Sequence, residues 1–356
     1  MKLDDALETM IEKNISDLFI RTNSCPRGRI ASQVEILNDT RLSEGDVKNF
    51  VQELIAGRDP NELTEKKMSE FTIWYRDTWR FRVGIFYQRN TPAAVIRKID
   101  LKIPPFEKLN LPGAVLEKFC HERRGMVLLT GITGSGKSTT IASMIEYINQ
   151  TQKRHVITIE EPIEFTFDDK KSIINQREIG VDVGSYKDAL RQFTLHSPDV
   201  IYIGNIRDAE TCYAAITAAE MGVLVFSTLH TVNAVSTIER MINFFPPHQH
   251  TLILNQLAFL LKGVVSQRLL PRSDTTGLMP AYEVMVLSPS VSRLIRENKP
   301  WEIPKYISTG DVYGMISFHQ CLLSLVGSGK ISPQTALEYA DKREELEMEL
   351  RNKGLL

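Results

Sequence analysis

The sequence predicts an α/β protein of two domains with a helical C-terminal segment. Three observations carry this. A glycine-rich phosphate loop, Gly131 to Ser138, lies between an apolar run and a helical pattern. Strand-like and helix-like segments alternate from 114 to 285, as expected of a parallel sheet covered by helices on both faces. A proline-bearing stretch separates this region from residues 1–100, which mix short helices and strands.

In chain order, Leu3, Leu7, Met10 and Ile11 recur at helical spacing, and Asp46 to Ile55 repeats that pattern. The run Arg80 to Phe86 alternates with period two. That places Phe81, Val83 and Ile85 on one face and Arg80 and Arg82 on the other, free of the core. Pro104-Pro105 and Pro112-Gly113 then break regular structure and mark a linker over 101–113. Strands are expected at Met126–Thr130, Val156–Ile159, Val200–Ile203 and Val223–Ser227. Ile141, Ile145 and Ile148 mark a helix, and Tyr186, Ala189 and Leu190 mark another behind a Ser185 cap. The signal from 286 to 356 is mostly helical. Ser332-Pro333 opens a charged helix running to about Asn352, with Leu346 and Leu350 on one stripe packed on their own subunit.

Composition narrows the function. The 356 residues carry 43 basic and 44 acidic side chains, a formal net charge of −1. That excludes a generally basic nucleic-acid coat protein and a strongly acidic disordered chain. No basic stripe interleaved with aromatics suggests a nucleic-acid translocase. The longest apolar candidate for a membrane span, Thr251 to Val265, is interrupted by Asn255, Gln256 and Lys262. The N-terminus lacks the basic region and apolar core of a secretory signal. Cys25, Cys120, Cys212 and Cys321 form no CxxC pair, so each reads as a small buried apolar residue in a reducing cytoplasm.

The stretch Gly131-Ile132-Thr133-Gly134-Ser135-Gly136-Lys137-Ser138 satisfies G-x-x-x-x-G-K-[ST]. Its glycines let successive backbone N–H groups converge on phosphate oxygens, and the following helix N-terminus adds positive partial charge. Gly131, Thr133, Gly134, Ser135, Gly136, Lys137, Ser138 and Thr139 are therefore expected to bind ATP. Lys137 would reach the β/γ-phosphates, and the Ser138 hydroxyl would ligate Mg2+.

Hydrolysis needs acids near the metal and the attacking water. Glu160-Glu161-Pro162-Ile163-Glu164 follows an apolar strand, at the sheet edge where ligands bind. A second strand runs through Ile203 into Gly204-Asn205. Asn205 occupies the position of a water-activating carboxylate, but an amide cannot take a proton as a carboxylate does. His230 follows the strand Val223–Ser227 closely enough to sense the γ-phosphate, although a lone histidine is as often structural.

Together these segments resemble the type IV pilus retraction ATPases, the PilT/PilU branch of the type II/IV secretion ATPase superfamily. Gly131 to Thr139 resembles that family's Walker A, and Ile157 to Glu164 its Asp box, with Glu161 where Asp is usual. Pro198 to Asp208 resembles its Walker B, and Val223 to Thr231 its His box. Leu261 to Pro271 resembles a segment near the end of its RecA-like core. Ser16-Asp17-Leu18 and Phe81 to Phe86 resemble parts of its PAS-like N-terminal domain. The resemblance implies a PAS-like domain over 1–100, a RecA-like ATPase core over 114–285 and a helical segment over 286–356. It also implies a homo-hexamer that disassembles the pilus, working on the assembly platform at the cytoplasmic face of the inner membrane. The site residues it implies are Glu161, Glu164, Asn205 and His230. N-terminal arginines approach the phosphates across the interface, with Arg80 and Arg82 matching best and Arg89 and Arg97 as further candidates. The extension-type relatives carry a tetracysteine zinc insertion that this chain does not have, which favours the retraction branch.

Three positions depart from the family pattern. Asn205 replaces the usual Walker B Glu, Val223 replaces an earlier His, and Leu195 stands near a usual second Arg. Loss of a general base costs about 10²–10⁴ in rate, so slow turnover is expected. The other reading of Asn205 is an accessory subunit that binds nucleotide, scarcely hydrolyses it, and docks on a related active motor.

Overall fold

The computed structural model describes residues 2–30, 33–57, 63, 67–76, 78–99, 103–274 and 277–356. Leu101 and Lys102, at the start of the expected linker, lie outside the described residues. The chain divides into two compact units, Met1–Lys102 and Ile103–Leu356.

The first unit is a six-stranded antiparallel sheet. Its strands are β1 (Asp17–Arg21), β2 (Arg27–Ile30), β3 (Gln33–Ile36), β4 (Met68–Tyr75), β5 (Trp79–Gln88) and β6 (Thr91–Ile99), in the order β3-β2-β1-β6-β5-β4. Helices α1 (Leu3–Glu12) and α2 (Glu44–Leu54) supply the other half of its core. Ser43 and Asp46 form a reciprocal capping box that fixes where α2 begins. Leu7, Met10, Phe50, Phe81, Val83, Ile85 and Ile96 pack together there. The alternation expected of β5 therefore holds for its apolar face.

Arg80 departs from that expectation. It projects from the face opposite the core, yet it is only 5% exposed. Its guanidinium donates to Thr72 Oγ1 at 3.0 Å and lies 5.6 Å from the Trp74 ring centroid. Being off the core face did not leave it in solvent, since Thr72 and Trp74 of neighbouring β4 engage its guanidinium.

The second unit is built on a seven-stranded sheet. Its strands are β7 (Gly125–Thr130), β8 (His155–Glu160), β9 (Ile173–Glu178), β10 (Val200–Ile203), β11 (Leu224–Leu229), β12 (Leu261–Pro271) and β13 (Leu278–Val286). The order is β13-β12-β7-β11-β10-β8-β9, all parallel except β13. Both faces are buried, which explains the nearly unbroken apolar runs. Val127 and Leu129 pack with α3 (Phe106–Leu109), α4 (Gly113–His121) and α5 (Lys137–Thr151). Met126 and Leu128 face the opposite layer, which contains α7 (Ala209–Glu220), α8 (Ala234–Asn243) and α9 (His250–Leu260). Between α5 and α7 lies the short helix α6 (Tyr186–Gln192). Ser185 Oγ accepts from the Asp188 amide at 3.1 Å and so caps it.

The C-terminal segment forms its own core of Leu322, Val326, Leu337, Leu346 and Leu350 against Leu270 and Met279. Leu346 and Leu350 are indeed buried on their own chain. The expected single helix to Asn352 is instead two, Pro333–Tyr339 and Arg343–Asn352. The break coincides with a contact from a distant strand. Arg268 of β12 donates to the Tyr339 carbonyl at 2.6 Å, a backbone acceptor that a continuing helix would use, and to the Asp341 carboxylate at 2.7 Å. Cys120, Cys212 and Cys321 are buried, and Cys25 is half-buried. Among the described residues, no helix is long and apolar enough to cross a membrane.

Candidate functional site

The phosphate loop leaves the C-terminal end of β7 and enters α5. Its backbone requires glycine. Gly131, Gly134 and Gly136 have φ of 143°, 79° and 92°. At Gly131 a Cβ would lie 2.4 Å from the Gln267 carbonyl oxygen and 2.5 Å from Ser135 Oγ. The loop is thus pressed against β12, whose side chains brace it. Thr140 Oγ1 donates to Gln267 Oε1 at 3.0 Å, and Thr130 Oγ1 donates to Ser266 Oγ at 2.8 Å.

Lys137, only 7% exposed, turns its ammonium back onto the loop. Its Nζ donates to the carbonyls of Gly131 at 2.8 Å and Ile132 at 3.0 Å. Burial lowers its pKa, and the Glu164 charge opposes that shift. Ser135 Oγ is buried without a hydrogen-bond partner. Ser138 and Thr139 are half-buried at the head of α5, while Thr133 and Gly134 are exposed. A buried hydroxyl without a partner, an ammonium held over the loop and a helix N-terminus form a donor set suited to a triphosphate. The Ser138 hydroxyl is the metal-ligating type expected for Mg2+ at such a loop.

The acidic partners converge on the same sheet edge but differ in environment. Glu161 is exposed and paired with Arg207 at 2.5 Å, and that guanidinium lies 6.0 Å from the Tyr186 ring centroid. Solvent screening limits such a pair to about 1 kcal/mol. Glu164 is half-buried and within electrostatic reach of Lys137.

Glu160 opens the acidic segment noted in the sequence but is not among the site residues expected there, Glu161 and Glu164. It is 6% exposed and lines a small cavity with Ser138, Ala142, Phe165 and Tyr202. Thr158 Oγ1 donates to its carboxyl at 2.6 Å, and Gln176 Nε2 at 3.3 Å. Burial pushes its pKa up to about 7 against these hydrogen bonds. The signal was present in strand parity. Thr158 and Glu160 share a face of β8, and that face is the one α5 covers.

Asn205 follows β10 after Gly204. The Gly204 amide donates to the Ile159 carbonyl at 2.8 Å, and a Cβ there would crowd Tyr186 Oη at 3.1 Å and that carbonyl at 3.3 Å. Glycine therefore lets the end of β10 lie tight against β8 and brings Asn205 beside the acidic segment. Asn205 Oδ1 is buried without a hydrogen-bond partner. His230, just past β11, is exposed. Its pKa is lowered by partial burial and by the charges of Lys137 and Arg207, so it is chiefly neutral at pH 7. Arg80 and Arg82 belong to the first unit, where Arg82 pairs with Glu70.

Fold and site together define a phosphate-loop nucleotide-binding protein with a RecA-like parallel sheet. The family described as "Type II/IV secretion system protein" matches residues 4–277, and the chain belongs to it. It is 39% identical to a "Twitching motility protein" of Neisseria gonorrhoeae, over 90% of this chain and 86% of that one. It is 36% identical to the "Type IV pilus ATPase PilU" of Pseudomonas aeruginosa, over 99% of this chain and 92% of that one. It is equally 36% identical to the retraction ATPase PilT of the same organism, over 96% and 98%. A crystal structure of the pilus retraction motor PilT with bound ADP superposes with a TM-score of 0.90 at 41% identity, covering 98% of this chain and 99% of that one. The resemblance to the retraction ATPases read from the motifs is thereby borne out, as is the two-domain α/β architecture.

Proposed function

We propose that this chain is a hexameric Mg-ATP-binding motor of type IV pilus retraction whose turnover is slowed by Asn205. The observation that carries the proposal is the loop Gly131 to Ser138 with Lys137 folded over it and Ser135 Oγ buried without a partner. ATP is held by the loop amides and by Lys137, which exchanges its two carbonyl acceptors for phosphate oxygens. Mg2+ at the Ser138 hydroxyl supplies neutralisation of charge on the β/γ-phosphates. Glu160 lines the same small cavity as Ser138, and Glu161 and Glu164 follow it at the sheet edge. Asn205 hydrogen-bonds the attacking water without taking its proton. His230, neutral at pH 7, is placed to accept or donate a hydrogen bond at the γ-phosphate. N-terminal arginines complete the site across the ring, and ATP turnover drives domain motion against the pilus platform at the cytoplasmic face of the inner membrane.

Asn205 favours one further reading: an accessory subunit docking on a related retraction motor. The equal identity to PilT and PilU leaves that feature to decide between them. Retention of labelled ATP in magnesium buffer tests the core of the proposal. The chain is expected to hold ATP, and Lys137→Gln to weaken retention at least about a hundredfold, the loss of two charge-assisted hydrogen bonds. Failure of the unaltered chain to retain ATP rejects the motor reading and the accessory reading alike.

A further inference from the structure

Glu283 is a carboxylate on the edge strand β13, outside the motifs that mark the nucleotide loop. The β12–β13 pairing places it directly across from Ser266. Ser266 in turn stands across from Thr130, the last residue of β7 before the loop. Partners across a sheet share a face, so Thr130, Ser266 and Glu283 form one row. That row continues the face of Leu128, Val264 and Met285, which packs with Ile238 and Met241 of α8. The Thr130 hydroxyl donates to Ser266 Oγ at 2.8 Å, so the middle of the row already braces the loop.

The head of α8 meets this row. A helix leaves its first amides without partners of its own. Asn233 Oδ1 accepts from the Ser236 amide at 2.8 Å, and Glu283 Oε1 accepts from the Ala234 amide at 2.9 Å. Burial, helped by the Asp341 charge, pushes the Glu283 pKa up to about 7, against the Ala234 hydrogen bond and the Arg268 charge. In either protonation state an oxygen remains to accept the amide. The turn from His230 to Asn233 joins β11 to α8. Its other side-chain bonds are local: Thr231 Oγ1 with Thr237 Oγ1 at 2.7 Å, and the reciprocal cap of Asn233 and Ser236. Among the described residues, Glu283 supplies the one hydrogen bond that ties the head of α8 to another strand. His230, at the far end of the turn, lies within electrostatic reach of Lys137, whose charge lowers its pKa together with partial burial.

We propose that Glu283 is a positioning residue that sets His230 against the phosphate loop, by tying the head of α8 to the strand pair that braces that loop. The proposal rests on the reading of His230 as a group at the γ-phosphate. A side chain four positions from a fixed amide takes its placement from that backbone, and a 1 Å displacement of a reacting group costs about a hundredfold in rate.

Histidine NMR titration of the full chain tests this without relying on turnover, with His230→Gln assigning the His230 signal. Phosphate release is measured alongside in an Asn205→Glu background. Glu283→Ala removes the anchor. The His230 pKa is then expected to rise towards the ordinary histidine value. Loss of a carboxylate charge by itself would lower it, so a rise reports movement away from Lys137 and into solvent. In the same variant kcat should fall at least about tenfold, while ATP retention changes less than about threefold. Glu283→Gln keeps an acceptor oxygen and should hold kcat within about twofold of the unaltered protein. With His230→Gln already present, Glu283→Ala should cost less than about twofold more. Melting temperature and sedimentation velocity report folding and assembly for each variant. Should Glu283→Ala not fold, Glu283→Asp withdraws the carboxylate by one methylene and takes its place. A His230 pKa that does not rise in the folded variant overturns the proposal. So does an equal loss of kcat with and without His230, the mark of a merely structural contact. The reading beneath it fails separately. Lys137→Gln removes the cation from the loop and should itself raise the His230 pKa; no change there shows that His230 does not face the loop, and the proposal falls with that reading.

Discussion

The proposed brake at Asn205 predicts that replacing it by glutamate accelerates ATP hydrolysis. The side chain sits past the end of β10, held against β8 by the close approach at Gly204, with Oδ1 buried and without a partner. A buried acceptor left in that state costs about 1–3 kcal/mol, so the site already favours a water donating to it. A carboxylate there would still orient that water and would also accept its proton. The new charge would lie near the acidic segment Glu160 to Glu164, which raises its proton affinity. General-base catalysis contributes about 10²–10⁴ in rate, or about 3–5 kcal/mol of barrier. Asn205→Glu should therefore raise steady-state phosphate release by that factor while labelled-ATP affinity changes by less than about tenfold. The assay is phosphate release at saturating Mg-ATP on protein shown to be assembled by sedimentation. Equal rates for the two chains would refute the assignment of position 205 to water activation. A rise that appears only when a related active motor is added would select the docking subunit over the motor.

Two further outcomes follow from the same coordinates. Gly131→Ala should abolish ATP retention. The added methyl would meet Ser135 Oγ and a β12 carbonyl at a φ that costs an alanine about 1–3 kcal/mol, so wild-type retention would disprove the packed-loop geometry. Glu160→Gln should stabilise the protein at pH 8 relative to wild type and leave it nearly unchanged at pH 4. Burial raises the carboxyl from 4.5 to about 7, so between those values the unfolded chain loses a proton that the folded chain keeps. Stability falls as pH rises through that window and then levels off, a loss of at most about 3 kcal/mol. Thermal melts across pH 4–8 read it, and a Gln variant less stable than wild type at pH 8 would contradict it.

Much of this protein was legible in its sequence because the decisive interactions are local. A glycine-rich loop is bound to its strand and helix by covalent neighbourhood, and an apolar run buried on two faces announces itself without any partner. The Leu346 and Leu350 stripe and the alternation of Phe81, Val83 and Ile85 followed from periodicity alone. Tertiary structure decided what depends on residues far apart in the chain. The last helix divides where Arg268 meets Tyr339 and Asp341, some seventy positions away. Strand parity could have flagged Glu160, but only the covering of β8 by α5 makes its carboxyl a buried acid beside Ser138. Arg80 shares the alternation of Arg82, yet Thr72 and Trp74 of β4 engage its guanidinium. Asp17 meets Arg97 eighty residues on because β1 and β6 pair in that register, and pairing between distant strands is settled by packing of the whole sheet.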